Sequence, residues 1–153
     1  MDNISITVSK TYVLSEVQKD SAYIATRKAD GIAGYDRISA TDYEADLFER
    51  YFRETGDVVT ALLREYIVNP ADAAVSLTGA KSDYKVTLRL PSNFDSNMVP
   101  SMQSDITGIF VSSILSKWLN IVDKDSTEAA SSDLATKLAA LKQKLYHRKR
   151  PTR

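Results

Sequence analysis

The sequence predicts an α+β domain dominated by helices, and three observations carry that prediction. Apolar residues recur at three- and four-residue spacing through three long stretches, and as a narrow leucine seam in a fourth. Two short runs, near residues 4–8 and 84–90, alternate apolar and polar residues with the period of a half-buried strand. The order is strand, helix, helix, hairpin, helix, helix, with no internal repeat and no low-complexity linker. At 153 residues the expectation is one domain over residues 1–145, followed by a basic C-terminal tail over 146–153.

Ile4, Ile6 and Val8 alternate with Ser5 and Thr7 and predict a short N-terminal strand. From Thr11 the period changes. Val13, Val17 and Ile24, with Leu14, Ser21 and Ala25 beside them, mark one face of a first helix ending near Lys28, where Arg27 and Lys28 suit the negative end of the helix dipole. Residues 29–34 hold two glycines and read as a connector.

Thr41-Asp42-Tyr43-Glu44 has the spacing of a capping box and opens a second helix over residues 42–68, closed by Asn69-Pro70. Its stripe is Leu47, Tyr51, Val58, Leu62 and Tyr66, with Phe48, Phe52, Val59, Leu63 and Ile67 alongside. Gly56 lies inside and costs about 1 kcal/mol relative to alanine, so a kink or break is weighed there.

Tyr84, Val86, Leu88 and Leu90 form the clearest strand pattern in the chain. Val75 and Leu77 alternate just before a turn-rich segment and predict the other arm of a hairpin, with an alanine-rich helix over 71–77 as the rival reading. Pro100 suits a first helical turn. Met102, Ile106, Phe110, Ile114, Trp118 and Ile121, flanked by Ile109, Val111, Leu115 and Leu119, predict the most buried helix. The last helix, over 126–147, is opened by Asp125 and Glu128 and carries Leu134, Leu138, Leu141 and Leu145 at four-three-four spacing.

Charge divides the chain. It holds 20 bases and 20 acids, but seven of the bases and none of the acids lie after Asp133. Residues 1–133 therefore carry 13 bases against 20 acids, a formal −7, and the cationic end is concentrated in Tyr146-His147-Arg148-Lys149-Arg150-Pro151-Thr152-Arg153. Such a cluster serves nucleic acid, anionic membrane surfaces, nuclear import or an acidic protein partner. Its bland reading is a solubilising end with helix-dipole compensation.

Chemistry is hard to place elsewhere. With no cysteine there is no thiolate site and no disulfide. The single histidine, His147, sits among cations rather than beside an acid and a nucleophile. Asp123-Lys124-Asp125 starts like a calcium loop, but Glu128 replaces the required glycine and Leu134 the terminal acid, so helix capping is the better reading. Asp42, Glu44, Asp46 and Glu49 read as a solvated helix start before a metal site. Gly31-Ile32-Ala33-Gly34 lacks the spacing of a phosphate loop. Tyr43, Phe48, Tyr51, Phe52 and Tyr66 have helical spacing and are expected in a core or subunit interface. No catalytic, cofactor or metal residue is assigned, and the chain is expected not to be an enzyme. The apolar run over 109–122 is broken by Ser112, Ser113, Ser116, Lys117 and Asn120, and neither a membrane span nor an N-terminal secretory signal is expected.

The run Tyr84-Lys85-Val86-Thr87-Leu88-Arg89-Leu90-Pro91-Ser92-Asn93-Phe94, the helix carrying Trp118 and the close Leu145-Tyr146-His147-Arg148-Lys149-Arg150-Pro151 resemble small structural proteins of tailed bacteriophages that infect gut bacteria. The resemblance covers roughly the C-terminal half. By analogy with phage neck components it implies a head–tail connector, or adaptor, subunit: a virion protein, assembled in the host cytoplasm, that forms an oligomeric ring joining portal to tail. It implies no catalytic residues. Its partners would be further copies of itself, the portal and neighbouring neck or tail proteins, with DNA in the channel a further contact to test and no membrane. Partner docking is assigned to Leu145, Tyr146, His147, Arg148, Lys149, Arg150, Pro151 and Arg153. Two other readings stand beside it, a nucleic-acid-binding module that uses the basic C-terminus and a tail terminator or completion protein.

Overall fold

The computed structural model describes residues 2–28, 45–68 and 83–146. Among these, the two alternating runs find each other: β1 (Asp2–Val8) and β2 (Tyr84–Leu90) pair antiparallel, from Asp2 opposite Leu90 to Val8 opposite Tyr84. The period of two sends Ile6, Val8, Tyr84, Val86, Leu88 and Leu90 to the core, and leaves Ser5, Thr7, Lys85, Thr87 and Arg89 outside. The other edge of β2 is met by residues 66–68. Val68 N–H donates to the Thr87 carbonyl at 3.1 Å, and Arg89 N–H donates to the Tyr66 carbonyl at 2.6 Å. The expected first hairpin arm, Val75 to Leu77, and its helical rival lie outside the described residues.

α1 (Lys10–Lys28) begins behind Ser9, whose hydroxyl accepts from Tyr12 N–H at 3.3 Å. Val13, Val17, Ser21 and Ala25, each four residues apart, are its buried line, and Ser21 is accommodated by donating to the Gln18 carbonyl at 2.9 Å.

α2 (Ala45–Leu63) passes through Gly56 without a break and stops five residues earlier than the sequence predicts. The reason is the sheet: Tyr66 N–H turns back to the Leu63 carbonyl at 2.8 Å, and residues 66–68 then spend their backbone groups on β2 rather than on another helical turn. The centre of the buried face is Phe48, Phe52, Val59 and Leu63, whereas Val58 is exposed. The expected capping box at 41–44 is outside the described residues.

A 3-10 turn (Ser96–Met98), capped by Asp95 accepting from Asn97 N–H at 3.0 Å, leads into α3 (Val99–Val122), with Pro100 in its first turn as expected. α3 is the hub. Met102, Ile106, Ile109, Phe110, Ile114, Trp118 and Leu119 are buried, and α1, α2, α4 and β1 all pack against it. Ile121, predicted in the stripe, is exposed at the helix end. Facing α2 and β2, the aromatic rings interlock: Phe52 and Tyr84 lie 4.7 and 5.2 Å from Phe110, and Phe48 meets Trp118 edge-on at 5.4 Å. One continuous cluster of buried side chains joins all six elements. The fold is therefore α+β and mainly helical, with four helices among the described residues.

α4 (Lys124–Leu145) follows α3 after the single residue Asp123, whose carboxylate accepts from Ser126 Oγ at 2.7 Å. It starts two residues before the expected boundary and ends two before it.

Candidate partner-docking site at the end of α4

The helix that leads into the residues expected to dock is held by two kinds of contact. Leu141 and Leu145 are buried, at 0% and 2% exposure, with Leu134 and Leu138 half-buried above them. Asp125 in the first turn and Lys142 and Lys144 in the last match the helix dipole.

Beside that seam runs a line of polar ties to α3. Ser131 meets Ser116 at 2.9 Å, Asp133 accepts from Ser112 at 2.7 Å, and Lys137 donates to Ser112 at 3.2 Å and to Asp133 at 2.7 Å. Lys144 closes the line, donating to Ser101 at 2.6 Å and to the Asp105 carboxylate. Partners descend α3 as they ascend α4, so the two helices are antiparallel. The Lys137 stem lies across Gly108, where an added Cβ would sit 3.1 Å from its end; the glycine admits that close approach. Hydrogen bonds from Lys137 and then Ser112 hold the Asp133 carboxyl below the ordinary aspartate value.

Ser112, Lys137 and Asp133 are a serine, an amine and a carboxylate in mutual contact, a combination the sequence reading missed. Its only trace in the sequence was the serines that interrupt the apolar run. The geometry is structural. Ser112 is 4% exposed, and its hydroxyl gives its proton to Asp133 while accepting from the Lys137 ammonium, the reverse of a lysine base taking a serine proton.

These ties narrow the cationic excess. Of the seven bases after Asp133, Lys137 and Lys144 are paired within the body, and Lys142 is exposed. Of the residues expected to dock, Leu145 is a core side chain, and Tyr146, the last described residue, is 66% exposed. His147, Arg148, Lys149, Arg150, Pro151 and Arg153 lie outside the described residues.

A groove of about 630 Å³ opens between α1 and α4, floored by α3. Tyr12, Glu16 and Asp20 form the α1 wall, Ser104 and Val111 part of the floor, and Lys137 the opposite side. Burial, and then the neighbouring Glu16 carboxylate, push the Asp20 carboxyl above the ordinary aspartate range against the pull of Lys137. Among the described residues the Asp20 carboxylate has no hydrogen bond or ion pair, and the Glu16 carboxylate has an exposed contact from Lys19 at 3.3 Å. A second groove of about 530 Å³ continues towards the far end of α3, between Ile24 and Arg27 on one side and Ala129 and Ala130 on the other.

Among the described residues no three acids or histidines are placed to hold a metal ion, and no helix is long and apolar enough to cross a membrane. Of the four acids weighed as a metal site, Glu49 accepts from Lys10 at 3.0 Å, Asp46 is exposed, and Asp42 and Glu44 are outside the described residues. Comparison with protein-family models, curated proteins and solved structures finds no match.

Proposed function

We propose that the chain is a non-enzymatic structural subunit of a tailed-phage neck, a head–tail connector that assembles as an oligomeric ring and engages a partner through the basic arm after Tyr146. The observation that carries this reading is the anchoring of the arm's root. Buried Leu141 and Leu145, with the Lys144 ties to Ser101 and Asp105, hold the last turn of α4 to the hub helix, so the point to which the basic segment is attached is fixed. Tyr12 and Tyr23 give further support: they lie three helical turns apart on one side of α1, 55% and 73% exposed, as aromatic residues of a subunit interface would be. The acidic balance of residues 1–133 suits a body that neither clings to DNA nor repels a cationic arm. Single arms that bind weakly would engage together around a ring and gain avidity.

Sedimentation of the chain alone and with a phage portal protein tests the reading. The expected result is a discrete oligomer, or co-sedimentation with portal that is lost when Arg148, Lys149 and Arg150 are replaced by glutamine. A monomer that neither self-assembles nor binds portal overturns it. DNA binding that falls steeply with salt and disappears on truncation after Leu145 would put a nucleic-acid module in its place.

A further inference from the structure

The outward side of α1 carries a second seam, turned away from the buried line of Val13, Val17 and Ala25. Tyr12, Glu16, Lys19 and Tyr23 recur at four-three-four spacing, so the helical period gathers them within about 60° of the helix circumference. Both tyrosines and Lys19 are exposed, and Glu16 is half-buried. From either end the seam reads the same in kind, with a tyrosine at each end and opposite charges in the middle. Tyr12 and Tyr23 share their midpoint with Glu16 and Lys19, between Val17 and Gln18. A face with that symmetry is complementary to itself, as a two-fold interface requires.

We propose that this face of α1 pairs with the same face of a second copy, the two helices antiparallel, with Tyr12 against the partner's Tyr23 and Glu16 against the partner's Lys19. Charge sets the direction. Antiparallel helices oppose residues equidistant from the midpoint, so each of the two central layers holds an acid and a base. Parallel helices in register would set glutamate on glutamate and lysine on lysine, and repel. Within one chain Lys19 already donates to Glu16 at 3.3 Å, in an exposed contact. Pairing therefore gives each group a second opposite charge rather than supplying a missing one. Shape agrees: beside Tyr23 a hollow of about 210 Å³, lined by Lys19, Ala22, Tyr23 and Thr26, lies where the partner's Tyr12 ring arrives, and the small Ala22 side chain leaves it open. One helix face is smaller than a standard interface, so the pair is weak and forms at high concentration. The inference specifies the contact that Tyr12 and Tyr23 make but does not rest on the neck reading. A ring closes through head-to-tail contacts, whereas this contact stops at two chains.

Sedimentation equilibrium of the full chain, up to about 0.5 mM at low salt, should show monomer and dimer in exchange. Glu16→Lys and Lys19→Glu each put like charges into both central layers, and each should raise the dimer dissociation constant at least about tenfold. Mixed in equal amounts, the two variants face each other with opposite charges again. Their pairing should return to within about threefold of the parent, as a heterodimer. Tyr23→Ser should weaken the dimer by a similar factor, and circular dichroism checks that every variant keeps the fold. A chain that stays monomeric over this range, or charge variants that pair as the parent does, overturns the proposal. So does a mixture that fails to recover, because the losses then arise within each chain. Portal binding that persists while the dimer is absent overturns the α1 pairing and leaves the neck reading standing.

Discussion

The two sides of α3 are built differently. Towards α2 and β2 it presents Phe110, Ile114 and Trp118 to Phe48, Phe52 and Tyr84, a mainly aromatic interface with Thr60 on the Tyr84 phenol at 2.9 Å and two polar ties at its side, Thr55 to Ser113 at 3.0 Å and Lys117 to Glu54 at 2.9 Å. Towards α4 it presents Ser101, Asp105, Ser112 and Ser116, and the leucine seam beside them is buried over only its last turns. Apolar burial is strong and indifferent to register. Hydrogen bonds are weak in net free energy, but they fix which residue faces which. The aromatic side supplies most of the apolar burial, and the polar side sets where α4 comes to rest.

Substitutions on the two sides separate these roles. Phe110→Ala empties the centre of the aromatic cluster and should cost about 3–5 kcal/mol in denaturant unfolding; a cost under 1 kcal/mol would show that the rings do not hold the fold. Leu141→Ala, on the α4 side, should cost about 2–4 kcal/mol and also raise hydrogen exchange in the last turns of α4 while sparing the sheet. Uniform exchange throughout would erase the contrast.

Ser112→Ala should cost only about 1 kcal/mol at neutral pH, and its signature is the pH dependence. The depressed pKa of Asp133 is a contribution present above 3.8, its ordinary value, and lost as pH falls through the folded-state value. The gap between Ser112→Ala and the parent should therefore close below pH 3.8, in urea midpoints measured from neutral to acid pH. Asp20→Asn should have the smallest effect and the opposite sign. Because the folded pKa of Asp20 is raised, its ionisation costs stability, so the amide should stabilise above that pKa and lose its advantage as pH falls to 3.8. A destabilised Asp20→Asn at neutral pH would mean that Asp20 already has a partner.

How much of this the sequence revealed follows from the kind of force involved. Period-two alternation located both strands, and the spacing of Met102, Ile106, Phe110 and Ile114 located the hub, because burial imposes those periods directly. Tyr66 and Ile67 continued the helical pattern and misled, since a backbone edge on β2 leaves no side-chain signal. The end of the last helix was read two residues long for a similar reason. Tyr146 N–H folds back to the Gln143 carbonyl at 3.2 Å, and its side chain shows nothing of that. The groove acids are legible in hindsight as an i, i+4 pair off the apolar line of α1, but only α4 packing beside them makes them a wall.

The pairing of β1 with β2 has a consequence for how the chain comes to be folded. Asp2 lies opposite Leu90, and Val8 opposite Tyr84, so β1 lacks this partner until synthesis has passed through α1 and α2 to β2. Closing a loop of that length is entropically slow, and local helices form long before it closes. Until then Ile6 and Val8 have no β2 to cover them, and the pairing of the two strands follows the helices between them rather than preceding them.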